Sequence, residues 1–241
     1  MENEKKKRIR RTKADLEKDL WNAAEKLIAE GGFPRITVAK LMRNTKADLH
    51  VFYNRYTNIE QYQQFLATQL NEKWETAVAV DDDKNPIENL KDIATQVIDL
   101  LYKDKMMQKL LAWELNENND ITRASIARRS QMNNLITSYF NKELPSNGLN
   151  NNIVLSIIMG GIYYIMLSSQ IGPFNQVDFT KTENVTALKA TINQLIDRIT
   201  YNANPIEDER KRIARNLLKE NLSPDIVCKS TGLSMEELGN L

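Results

Sequence analysis

The stretch ITVAKLMRNTKADLHVFYNRYTNIEQYQQFL, residues 36–66, packs two short amphipathic segments, a tight turn and the start of a long helix into 31 residues. Thr37 is placed to N-cap a helix running to about Arg43, with Leu41 and Met42 as its apolar pair. Asp48 can cap the next, from Leu49 to about Arg55. Asn58 can open a long one with Tyr62, Phe65, Leu66, Leu70, Trp74 and Ala77 on one stripe. Upstream, Leu16, Leu20, Ala24, Leu27 and Ile28 share one face of a first helix that Gly31 and Gly32 stop. Helix, break, short helix, turn, short helix is the spacing of a three-helix DNA-reading unit.

Charge is distributed to match. The 241 residues carry a net charge of +1, but residues 1–58 hold an excess of Lys and Arg and the remainder an excess of Asp and Glu. The excess is sharpest at Lys5, Lys6, Lys7, Arg8, Arg10, Arg11 and Lys13, a run with no acid inside it. Like charges keep such a run from folding alone. Ahead of a small helical unit it becomes a candidate arm for tracking phosphates; by itself it is a solvated tail.

Downstream the helical period continues. Leu90, Ile93, Val97 and Leu101 form one stripe; Met106, Leu110 and Trp113 a second; Met132, Leu135, Ile136, Tyr139 and Phe140 a third. The acidic break Asp81-Asp82-Asp83 and the turn Pro145-Ser146-Asn147-Gly148 separate them. No repeat at solenoid period is present, and the expected fold class is all-α. Between Ile153 and Leu167 the chain is apolar except for Ser156 and two glycines. That core is shorter than the roughly 18–20 residues needed to span a bilayer, so no membrane partner is expected. A helix apolar all round belongs to a core or to a subunit interface, and Gly160-Gly161 would admit a second helix. With the stripe Leu188, Ile192, Leu195, Ile196 and Ile199, it predicts a homodimer interface using Ile158, Gly161, Ile192, Leu195, Ile196 and Ile199.

Residues 36–66 resemble the helix-turn-helix of TetR-type transcriptional repressors, without a gap. Thr37-Val38 takes the start of the second helix, Phe52-Tyr53 the usual Leu-Tyr pair, Tyr56 the Phe, and Glu60 the acid opening the fourth helix. The likeness is close over about residues 9–66 and extends to about 201 as a helical layout of matching length. Departures fall at Lys46 for the turn glycine, Asp48 for the capping serine, Leu49-His50-Val51 for Lys-Gly-Thr, and Ile59 for a lysine. The resemblance implies a cytoplasmic regulator that binds double-stranded DNA. The DNA-binding set is then Lys6, Lys7, Arg8, Arg10, Arg11, Thr37, Lys46, Asp48, Leu49, His50, Tyr53 and Asn54. It also implies repression relieved by a small apolar effector in a pocket near Trp74, Met106, Trp113, Tyr139 and Phe140, although the same stripe describes a plain core. The donor-poor third helix supports an alternative, a helical protein-interaction module with weak or lost sequence-specific DNA binding.

The organisation expected is a basic arm at 1–12, a DNA-binding unit at 13–58, a ligand-binding and dimerisation domain at 59–203, and a helical tail at 204–241. In the tail, Ser223-Pro224 starts one helix and Thr231-Gly232-Leu233-Ser234 turns into another. Val227, Leu233, Leu238 and Leu241 are expected to dock on a partner or on the helical body, with Cys228 as a small filler. Glu114 is a candidate partner of Arg128 or Arg129. With one histidine, one cysteine and eight glycines, the chain lacks the means for a Cys/His zinc site, a P-loop or a nucleotide-binding fingerprint. No enzyme activity, metal or cofactor is expected.

Overall fold

The structure, a computed structural model, describes residues 12–45, 48–143, 149–200, 205–220 and 222–239. Lys5, Lys6, Lys7, Arg8, Arg10, Arg11, Lys46, the turn at 145–148 and Leu241 lie outside the described residues. Among the described residues there is no strand, and a single bridge between Phe174 and Val177 closes one turn.

Helix α1 spans Lys13–Gly31 and opens on a capping box. Thr12 Oγ1 accepts from Asp15 N–H at 3.1 Å, and the Asp15 carboxylate accepts from Thr12 N–H at 3.0 Å. It ends at Gly32, whose φ of 77° is left-handed and whose N–H donates to Ile28 C=O at 2.7 Å. A 3-10 turn over Phe33–Arg35 leads to α2, Val38–Thr45, where Thr37 Oγ1 accepts from Lys40 N–H at 3.3 Å. Helix α3 is Leu49–Tyr53, shorter than the expected run to Arg55. Asp48 stands at its N-cap with extended backbone, but the carboxylate makes no capping bond. Its expected capping role is corrected accordingly.

The body follows as α4 (Ile59–Ala77), α5 (Pro86–Lys103), α6 (Lys105–Asn116), α7 (Asp120–Glu143), α8 (Asn151–Ser168) and α9 (Thr182–Thr200). Asn58, Asn85 and Asp104 cap α4, α5 and α6, each accepting from a backbone N–H three residues on. One contiguous apolar cluster runs from Leu20, Ile28, Leu41 and Phe52 through Leu70, Val97 and Leu110 to Ile162 and Ile196. Fully burying each such side chain is worth about 1.5–3 kcal/mol, so the N-terminal helices and the body share one stabilising core. Helix α9 lies along α5, and the Lys189–Asp99 pair at 2.6 Å and the Lys91–Asp197 pair tie their outer edges.

The tail holds α10 (Pro205–Lys219), α11 (Pro224–Thr231) and α12 (Met235–Gly239). Gly232 ends α11 at φ 71°, as its place in the turn requires. Val227, Leu233 and Leu238 do not form an outward docking surface. They bury with Ala214 in a separate small core, because the bend at Gly232 folds α12 back toward α10 and α11. Cys228 is half-buried beside them and its thiol donates to Met235 Sδ at 3.4 Å.

Candidate functional site

The first site is the outer face of α2 and α3. Phe52 is fully buried and meets Tyr62 of α4 at 5.8 Å and Tyr56 at 5.4 Å between ring centroids. This aromatic nest turns the opposite side of α3 outward. Thr37, Arg43, Asp48, Leu49, His50, Tyr53 and Asn54 are all exposed. Tyr53 rests edge-on against Phe52 at 5.5 Å, so its ring is supported on one side while the residue stays exposed. Arg55 turns back instead and pairs with Glu17 of α1 at 3.5 Å. Burial pushes the Tyr62 hydroxyl far above the ordinary phenol range, so it is neutral at every physiological pH.

The second feature joins this unit to the body. Trp113 of α6 stacks on Phe33 with centroids 4.8 Å apart, and Gln63 Nε2 donates to Phe33 C=O at 3.0 Å. Beside Trp113, Glu114 forms a buried ion pair with Arg129 of α7. Ser125 Oγ donates to Glu114 at 2.6 Å, Asn71 Nδ2 donates to Ser125 Oγ at 2.6 Å, and Arg129 donates to Asn71 Oδ1 at 3.1 Å. Burial outweighs these partners and raises the Glu114 carboxyl above its usual range. Of the two arginines weighed in the sequence, Arg128 instead makes an outer pair with Glu75 at 2.6 Å. Arg129 also lies over the Trp74 ring at 5.6 Å, and Trp74 in turn forms part of the wall of a cavity.

That cavity, about 360 Å³, opens between α4, α5, α7 and α8. Trp74, Leu90, Ile93, Phe140, Leu155 and Met159 give it apolar walls. Asn133, Asn134, Thr137, Asn152 and Ser156 line it with amides and hydroxyls, and among the described residues no ionisable side chain borders it. Of the expected pocket residues, Trp74 and Phe140 are in its wall. Met106 is packed in the core, Trp113 belongs to the Phe33 stack, and Tyr139 is half-buried beside Asn89. Met106 and Trp113 stand on α6, which does not line this cavity, and the Tyr139 hydroxyl is taken by Asn89 of α5. The polar lining was not foreseen; the Asn-rich sequence around it was its only signal.

The expected interface residues divide in two. Ile158, Ile192 and Ile196 are buried within the protomer, because α8 and α9 both pack on α5. They are core residues, which corrects that part of the expected interface. Gly161 and Leu195 are exposed, and Ile199 is half-buried. The outward stripe of α8 consists of Ile153, Ile157, Gly160, Gly161 and Tyr164, and nothing lies within 4 Å of where a Cβ on either glycine would stand. Among the described residues α8 is the one helix long and apolar enough to cross a membrane by length and composition. Its other stripe, Leu155, Ile158, Ile162 and Met166, packs in the core. Among the described residues no group of three His, Cys, Asp or Glu is placed to hold a metal.

A three-helix unit is joined through α4 and α6 to a helical body that carries a cavity. Solved structures agree on the fold. The fatty acid degradation regulator FadR from Bacillus halodurans aligns with a TM-score of 0.56 at 17% identity, over 77% of this chain and 96% of its own. FadR from Bacillus subtilis, in complex with stearoyl-CoA, aligns at 0.56 and 18% identity, over 78% of this chain and 100% of its own. A TetR family protein from Vibrio parahaemolyticus aligns at 0.52 and 15%, over 72% and 96%. No family model and no curated protein sequence matches the chain.

Proposed function

We propose that this chain is a DNA-binding transcriptional regulator that acts in the cytoplasm as a homodimer and represses until a small effector enters the cavity. The observation that carries the reading is the outward face of α3, which the Phe52–Tyr56–Tyr62 nest holds in place on a unit locked to a cavity-bearing body. In a helix-turn-helix the second helix enters the major groove, and phosphate donors flank it. Tyr53 is the phosphate donor here, Thr37 and Asn54 border it, and the basic residues 5–13 supply further cations. The outward stripe of α8, with Leu195 of α9, is the surface for a second copy, and two copies suit a palindromic site.

The effector in this reading is uncharged. The stearoyl-CoA of the Bacillus subtilis neighbour pairs an acyl chain with several phosphates, and this cavity has walls for the first but, among the described residues, no cation for the second. A neutral, largely apolar molecule with one or two hydrogen-bonding groups fits the Asn133, Asn152 and Ser156 lining. The alternative, a protein-interaction module, is favoured by one observation: α3 carries no Lys or Arg.

Selection of duplexes from a random pool by mobility shift separates the two. The regulator reading expects one enriched palindrome, weaker binding by Tyr53→Phe on every duplex, and weaker binding after deletion of residues 1–11. Enrichment of no duplex overturns it in favour of the interaction module.

A further inference from the structure

The exposed face of α3 is unusual in its chemistry. Leu49, the first residue of the helix, is 52% exposed, and Tyr53, one turn later, is 53% exposed. A single exposed leucine is ordinary on a protein surface. This one stands where the N-terminal residues of the second helix of a helix-turn-helix meet base edges. It is also held there. Phe52 is fully buried and Val51 half-buried, so the inner side of α3 is fixed and Leu49 cannot roll into the core.

The surrounding charges define what Leu49 can meet. Helix α3 carries no Lys or Arg, and the Asp48 carboxylate beside it repels phosphate. Arg43 on α2 is exposed, and the sequence carries a run of Lys and Arg ahead of α1. Donors at the edges with an apolar centre match a groove whose rims are phosphates and whose floor bears an apolar group. Among the four bases only thymine presents such a group there, its 5-methyl.

We propose that Leu49 reads a thymine methyl in each half-site, making thymine the required base at that position. The inference rests on the DNA-binding reading above. It assigns specificity to hydrophobic contact, with Tyr53 and the flanking cations giving register only.

The test uses the duplex that the full-length chain selects from a random pool. Each thymine is replaced in turn by deoxyuridine, which pairs identically and lacks only the methyl group. One position per half-site loses about fourfold in affinity, the worth of burying about one methyl. Leu49→Ala, folded by circular dichroism, binds the thymine and uracil duplexes equally. Wild-type binding unchanged by every uracil, or a loss that persists in Leu49→Ala, overturns the inference while leaving DNA binding intact. A pool from which nothing is enriched overturns the DNA-binding reading itself, and the inference falls with it.

Discussion

The indole of Trp113 lies flat on the ring of Phe33, centroids 4.8 Å apart and planes 3° apart, so α6 is seated on the turn between α1 and α2. Both rings are buried, and α6 packs on α1 around them. Trp113→Ala is expected to cost about 3–5 kcal/mol in urea unfolding, as a large buried ring leaves a cavity. A double-mutant cycle with Phe33→Leu should return a coupling of about 1 kcal/mol, since the stack adds to simple burial. Additive losses would show that the two rings are merely both in the core.

The Glu114–Arg129 pair predicts a pH signature. Burial raises the Glu114 carboxyl above its unfolded value, so its contribution to stability is fully present below that value and is lost as pH rises through the raised folded one. Glu114→Gln should therefore remove the part of the pH dependence of melting temperature that favours lower pH between neutral and the carboxylate range. Arg129→Met strands the carboxylate, steepens the same profile and costs about 3–5 kcal/mol near neutral pH. Thermal melts across pH check both, and a steeper profile in Glu114→Gln would contradict the assignment.

Two aspartate substitutions on neighbouring helices should fail in different ways. Ile157 is 69% exposed on α8, whereas Ile196 on α9 is fully buried. Ile157→Asp should fold and sediment as a monomer. Ile196→Asp should lose the folded state, because an unpaired charge enters the α5–α9 seam. A folded dimer of Ile157→Asp would remove α8 from the interface.

Ser156 lines the cavity from an exposed position on α8. Ser156→Phe fills space without entering the core, so the melting temperature should be nearly unchanged. Neutral apolar compounds that raise the melting temperature of the wild type should no longer do so. An undiminished response would place the effector elsewhere.

The tail encloses its own core of Ala214, Val227, Leu233 and Leu238. Truncation after Asn202 should leave the thermal midpoint of the body and its affinity for a selected duplex nearly unchanged. A large loss of affinity with intact folding would assign the tail to DNA.

Much of the fold was legible because helix boundaries are written in short-range chemistry. The side chains of Thr37 and Asn58 accept the capping bonds their positions imply, and Gly32 and Gly232 take the left-handed angles their breaks require. Asp48 shows the limit: the residue type predicts a cap, but whether the carboxylate turns inward depends on the packing of the whole unit. The same limit governs the interface and the pocket. Apolar periodicity marks Ile158 and Ile196 as belonging to a covered face, yet says nothing about whether the cover is α5 or a second chain. It marks Trp74 and Trp113 alike, though only one faces the cavity. The amide lining escaped because Asn133, Asn152 and Ser156 read as surface until α7 and α8 are brought together.

The uncharged lining of the cavity has an environmental consequence. Among the described residues no ionisable group borders it, so occupancy by a neutral molecule is nearly indifferent to the ionic strength of the cell. A grip on phosphates is not, because each contact releases counterions and weakens steeply as they accumulate. If the chain regulates as proposed, it has two independent ways off its operator: the effector, and the influx of ions that follows osmotic stress. In the second case the genes open while the cavity stands empty.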